Sequence, residues 1–181
     1  AACAGGMLLV AAAAASGRGS ASTAAAGVPA PGSPQFRVVP VAGDGNCLFN
    51  SLAQGEALSA GHAPLSSGAV AARAPALRAW AVKELKMRRD DIEWAIEGDF
   101  DQYVSKMSRD GTWGGEIELL MMSHHLKCPI EVYMKNPTLR RIQVYGEEHA
   151  SRPAMYVLFH GLGHYEALWK QGGGATPTSK L

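Results

Sequence analysis

Apolar and polar positions along this chain change their period near Pro129. Upstream of it the recurrence is helical. Leu77, Trp80, Ala81 and Leu85, together with Glu84 and Arg88, fall at 3.6-residue spacing and predict a long helix over residues 75–87, opened by Pro75. Residues 91–97 and 101–107 predict two further helical pieces. After the Gly114-Gly115 break, residues 116–126 carry Ile117, Leu119, Leu120, Met121 and Met122 nearly all round, the pattern of a helix buried inside a domain. Downstream of Pro129, residues 130–134, 141–145, 155–159 and 164–169 read as four strands, the third an unbroken apolar run suited to the centre of a sheet. Nearer the start, residues 36–41 form a short extended segment, and Asp44 or Asn46 caps a short helix over residues 47–53. Gly, Pro and Ser make residues 55–68 a surface loop or a poorly formed helix. Helices come first and strands later, so the fold class is mixed α/β or α+β, a sheet with helices packed on it.

Composition sets the limits of that domain. The chain has 181 residues, 47% of them hydrophobic and 18% charged, enough for one domain with a sizeable core. Residues 1–35 are Ala/Gly/Ser/Pro-rich with Arg18 as their single charge, and are expected to be a disordered leader or tail. An organellar transit peptide is the alternative for that segment. Residues 36–170 are the folded domain, and residues 171–181 a flexible tail. That tail finishes in Ser179-Lys180-Leu181, a match to a peroxisomal address, set against a cytoplasmic default. Seventeen basic and 16 acidic residues give a net charge of +1, which makes no case for nucleic acid or an acidic membrane as partner. Three cysteines are too few for a disulfide framework and leave a single thiol free to be chemical.

The densest chemical signal is Asp44-Gly45-Asn46-Cys47-Leu48-Phe49. A cysteine directly after a Gly/Asn turn, in the first turn of a helix, has free backbone N–H groups aimed at its sulfur. The positive end of the helix favours the thiolate, and the same N–H groups, with those of the Gly45 loop, suit a forming oxyanion. The alternative is a small buried apolar residue that starts a core helix. A thiolate mechanism needs a base. Of six histidines, His62 and His149 fall in polar loops, and His124 and His125 on the buried helix. His160 and His164 flank Gly161-Leu162-Gly163, a tight hairpin loop between the last two strands, where a ring is held rigidly beside a cleft. Alternation puts His164 and Glu166 on one face, so Glu166 is placed to orient the imidazole. His124, His125 and Cys128 have a loose metal-like spacing, but Cys128 runs into Pro129 and an apolar strand, and no metal is expected there. The basic run from Arg73 to Arg89 is followed by Asp90, Asp91 and Glu93 and reads as the solvated face of a helix.

Three segments in register carry a resemblance. Asp44-Gly45-Asn46-Cys47-Leu48-Phe49-Asn50-Ser51-Leu52 resembles the nucleophile motif of the ovarian-tumour (OTU) cysteine proteases, which are mostly deubiquitinases. Trp113-Gly114-Gly115-Glu116-Ile117-Glu118-Leu119 resembles that family's central Trp-Gly segment, and His164-Tyr165 its His-Tyr pair. The resemblance spans residues 36–169. It implies an OTU-like cysteine protease fold with a central, mostly antiparallel sheet flanked by helices. It makes Cys47 the nucleophile and His164 the general base and acid, with Asp44, Gly45 and Asn46 in the oxyanion loop. The orienting third member is Glu166 or Asp44. The family has Asp or Asn more often at position 166, and Glu is one methylene longer. Trp113, Gly114 and Tyr165 would line the substrate cleft, with Tyr165 beside the imidazole.

The resemblance also implies the reaction, hydrolysis of isopeptide or peptide bonds at the C-terminus of ubiquitin or a similar modifier. Ubiquitin or polyubiquitin is the partner, no metal or organic cofactor is required, and the expected state is a monomer. Two rivals stand beside it: a ubiquitin-binding module with a degenerate site, and a different thiol hydrolase or acyltransferase on a related fold.

Overall fold

The computed structural model describes residues 35–171. The leader expected over residues 1–35 and the tail with Ser179-Lys180-Leu181 lie outside the described residues, apart from Gln35 and Gln171. Within them a five-stranded sheet has the order β1-β5-β4-β2-β3, made of β1 Gln35–Val39, β2 Ile130–Lys135, β3 Leu139–Tyr145, β4 Met155–Phe159 and β5 Tyr165–Gln171. Three of its four pairings are antiparallel; β2 and β4 run parallel. The extended segment near residue 36 becomes an edge strand, with Val39 opposite Ala167.

Five helices accompany the sheet: α1 Cys47–Ser59, α2 Ser67–Met87, the single turn α3 Arg89–Ile92, α4 Phe100–Met107 and α5 Glu116–Leu126. Helix α1 packs on β4 and β5, and α2 lies across α1 and α5. Phe49, Leu52, Leu77, Leu85, Leu119, Met121, Met122, Ile130 and Val157 are fully buried in one core between these layers. That explains the all-round apolar pattern of α5, which has neighbours on several sides. None of the described helices is long and apolar enough to cross a membrane.

Helix limits differ from the pattern-based expectation in three places. The piece expected over residues 91–97 is the end of the single turn α3 followed by a 3₁₀ turn, Glu93–Ala95. Helix α1 runs on to Ser59 through Gly55. A Cβ at position 55 would stand 3.2 Å from the Met155 sulfur, so the glycine is a helix-to-sheet contact and not a loop signal. Helix α2 starts eight residues before Pro75. Ser66 caps it by accepting the Ala69 N–H at 3.3 Å. Pro75 is exposed, so the hydrogen bond it forfeits lies on the solvent side of an Ala-rich helix.

Candidate functional site

Two chain segments that flank the core carry the expected nucleophile and base, and a third, at Trp113, walls the site. The loop from β1 enters α1 through Gly43, Asp44, Gly45 and Asn46. Gly45 has φ +83°, and a Cβ there would fall 2.1 Å from the Gly111 carbonyl oxygen, so no other residue lets the loop pass so close to the 111 backbone. Asp44 Oδ1 accepts from the Asn46 N–H at 2.9 Å and from Asn50 Nδ2 at 3.2 Å, which ties the turn to the first turn of α1. Cys47 is the first residue of that helix and is 5% exposed.

The second segment is the hairpin between β4 and β5. The His160 N–H donates to the His164 carbonyl at 3.0 Å and closes the Gly161-Leu162-Gly163 loop. The Cys47 thiol points at the Gly163 carbonyl, with Sγ 3.7 Å from the oxygen. The Nδ1–Cε1 edge of the His164 ring lies against Gly43. Gly43, Gly45, Cys47, Trp113, Leu162, Gly163 and His164 together line a cavity of about 50 Å³. Trp113 is 66% exposed and its ring lies over Gly163, while Leu162 is 88% exposed at the hairpin tip. The expected nucleophile and base thus share one narrow slot between two projecting apolar side chains.

The orienting role assigned to Glu166 is not what the geometry displays. Glu166 Oε2 lies 2.7 Å from His160 Nε2. Among the described residues neither Glu166 nor Asp44 bonds the His164 ring. Cross-strand register explains the choice. Glu166 stands opposite Leu158, so His160, one residue past the end of β4, is its diagonal neighbour. The longer Glu side chain reaches across the sheet to that ring instead of back along its own strand. The two imidazoles lie 5.5 Å apart between centroids and are tilted by 35°, so the His160 ring stands between Glu166 and His164.

Tyr165 also departs from expectation. It is 5% exposed and points into the core against Phe159, with centroids 5.0 Å apart, so it is not among the residues lining the slot. Successive strand residues point to opposite faces, and His164 and Tyr165 are successive. Gly114 is likewise not among the residues lining the slot and lies behind Trp113. A Cβ at that position would fall 2.6 Å from Leu48 Cδ2, so the Trp113 segment closes directly onto α1.

Two buried polar groups hold this arrangement, and the first of them, Arg78, was not singled out from the sequence. Arg78, on α2, is 4% exposed. Its Nη2 donates to Asn46 Oδ1 at 2.6 Å and to the Gly45 carbonyl at 3.4 Å, and its Nη1 donates to the Met107 carbonyl at 3.1 Å. Its guanidinium lies 4.4 Å over the Phe49 ring. Burial lowers its pKa, opposed by the charges of Asp110, Glu118, Asp44 and Cys47 around it. Asn46 Oδ1 also accepts the Gly111 N–H at 3.1 Å, so Asn46 is the knot between α2, the 111 turn and the Cys47 loop. The basic run therefore is not all solvated. Arg73 likewise makes two 2.8 Å bonds to Glu56.

Glu118 is the second group. It is 1% exposed, accepts the Gly115 N–H at 2.7 Å at the start of α5, and takes the Tyr103 hydroxyl proton donor at 2.6 Å. Burial raises its pKa above the ordinary carboxylate value, with the two donors opposing. The loose triple of His124, His125 and Cys128 is split apart. His125 faces Glu84 at 3.3 Å and stacks on Trp80, and burial pushes the Cys128 thiol up to about 11.

Comparison with known proteins matches this architecture. A family model for OTU-like cysteine proteases covers residues 42–165, more than half of the chain. The chain is 41% identical over 150 residues to the ovarian tumor domain-containing deubiquitinating enzyme 4 of Arabidopsis thaliana, covering 81% of this chain and 47% of that protein. It thus spans about half the length of that relative. Among solved structures, the OTUD1 OTU domain superposes with a TM-score of 0.61 at 24% identity, over 75% of this chain and 86% of that one, a likeness of fold. The Hazara virus OTU bound to ubiquitin gives a TM-score of 0.56 at 29% identity, over 78% of this chain and 83% of that one. With the family model laid along its core and the slot between α1 and the β4–β5 hairpin, the chain belongs to the OTU-like cysteine protease family.

Proposed function

We propose that the chain is a cysteine-dependent deubiquitinase that hydrolyses isopeptide or peptide bonds at the C-terminus of ubiquitin or a ubiquitin-like modifier. The observation that carries the reading is the joint position of Cys47 and His164 in one slot, with the Gly45 loop and the start of α1 beside the sulfur. The Arabidopsis relative's name and the Hazara virus complex with ubiquitin support the substrate class.

The chemistry follows from those positions. Cys47 loses its proton to His164, and the sulfur attacks the carbonyl carbon of the terminal glycine. The oxyanion is met by the Cys47 N–H, free because it opens helix α1, whereas the Asn46 N–H is held by Asp44 Oδ1. The C–N bond breaks as the His164 imidazolium gives its proton to the departing lysine amine. Water, deprotonated by His164, then cleaves the thioester, and the carboxylate leaves with the thiol restored. A slot of about 50 Å³ between Trp113 and Leu162 suits an extended tail with small residues at the scissile bond. No step calls for a metal or an organic cofactor.

A second reading, a ubiquitin-binding module without turnover, is favoured by Glu166 bonding His160 instead of His164. Incubation with diubiquitins and with ordinary peptide substrates separates the readings. Release of monoubiquitin with little peptide cleavage is expected. Tight ubiquitin binding without cleavage of any linkage supports the module, and efficient cleavage of ordinary peptides supports an unrelated thiol protease.

A further inference from the structure

The far end of α5 carries a cluster that the proposed reaction does not use. Helix α5 begins next to the Trp113 wall of the slot and runs 11 residues, about 16 Å, to His124 and Leu126 in its last turn. There the chain after β3 folds back as a short 3₁₀ turn, Glu147–His149. Gly146 makes the approach possible. It has φ +75°, and a Cβ there would fall 2.9 Å from the Ser123 side chain, so the turn is set directly on α5. The result brings His124, Glu148 and His149 together.

From this geometry we infer that His124 Nδ1, Glu148 Oε1 and His149 Nε2 form a binding site for one zinc-class divalent transition-metal ion. Glu148 Oε1 lies 3.3 Å from His124 Nδ1 and 3.5 Å from His149 Nε2. All three donor atoms lie within 4.8 Å of one another. Ligand bonds of about 2.0–2.1 Å in tetrahedral geometry put donor atoms about 3.3–3.4 Å apart, which two of these separations match. Two imidazoles and one carboxylate are a donor set suited to zinc, with the fourth position left to water. The C-terminal end of a helix also favours a cation.

The two histidine side chains are 23% and 25% exposed and Glu148 54%, so an ion has a route in from solvent. His125 takes no part, since its Nδ1 faces Glu84. The site is a staple between α5 and the 146–149 turn, fixing the helix whose other end supports the Trp113 wall. Its ligands differ from the His124, His125 and Cys128 spacing seen in the sequence.

The test is calorimetric titration of the full chain with Zn²⁺, in a Cys47→Ala background so that the slot's thiol does not compete. One ion per chain is expected, at micromolar affinity or tighter, with a rise in Tm. His124→Ala and His149→Ala should each weaken binding by about 10-fold or more and abolish the Tm rise. Glu148→Gln, at an exposed position, serves as the variant least exposed to folding loss and should do the same. Co²⁺ titration should give a visible absorption band that His149→Ala removes. Zn²⁺ affinity unchanged in all three variants, or no binding at millimolar Zn²⁺, would mean a cluster held by hydrogen bonds alone and would overturn the inference.

Discussion

Arg78→Met probes how the Cys47 loop is held. The substitution keeps most of the side chain's length and apolar contact but removes every donor. The Gly45 and Met107 carbonyls then lose their guanidinium partner, whereas Asn46 Oδ1 keeps the Gly111 N–H. Two buried acceptors left unpaired cost about 1–3 kcal/mol each. Removing a buried charge whose own pKa burial depresses offsets part of that. The net expectation is a loss of about 2–4 kcal/mol in urea unfolding, which a domain of ordinary stability survives. Catalysis should suffer more than folding, because a loop shift near 1 Å at a reacting group costs about 10²-fold. The assay is kcat/KM on a ubiquitin C-terminal fluorogenic substrate, well below the variant's unfolding midpoint. Arg78→Lys, which keeps the charge and loses the fork, should fall between the two. An Arg78→Met enzyme within about twofold of the parent would refute the positioning role and leave Arg78 as packing alone.

The remaining predictions concern neighbours of the slot. Glu166→Ala should reduce kcat only modestly, and His160→Ala by a similar factor, with the double variant little worse than either, since the two act as one pair; additive losses would show that Glu166 reaches His164 directly during turnover. Trp113→Ala, which strips one exposed wall of the slot, should raise KM about 10-fold with a smaller change in kcat, measured by steady-state kinetics on diubiquitin. Glu118 has a pKa raised in the folded state by burial, so folding takes up a proton above the ordinary carboxylate range. Its contribution is full below the unfolded value and lost as pH rises through the raised folded value. Urea unfolding from mildly acidic to neutral pH should therefore show a downward slope in stability that Glu118→Gln flattens; an identical slope in both proteins would assign it to other groups.

Local chemistry made much of the site legible. A Gly/Asn turn before a cysteine, a three-residue hairpin loop between two histidines and a Trp-Gly-Gly break each act over a few residues, and all three end at the slot. The strand pattern after Pro129 was equally readable because a period of two survives half-burial. What escaped was set by contacts distant in sequence. Arg78 occupies the apolar face of α2, four residues from Ala74 and from Val82, yet a helix that also carries Arg73, Lys83 and Lys86 invites a solvated reading until Asn46 is known to stand 2.6 Å away. Glu166 sits on the face that alternation assigns it, but which of two histidines it meets depends on strand register and one methylene. Gly55 and Pro75 are breakers by local propensity, and close packing on Met155 and a solvent-facing ring overrode them.

The central claim is that Cys47 is the nucleophile and His164 its proton acceptor. It is tested most directly by reacting the full chain with ubiquitin bearing a C-terminal electrophile and mapping the adduct by mass spectrometry. The account predicts one ubiquitin covalently attached at Cys47, no adduct in Cys47→Ala, and labelling slowed at least about 10²-fold in His164→Ala with the fold intact. An adduct on Cys128, or undiminished labelling of His164→Ala, would contradict it.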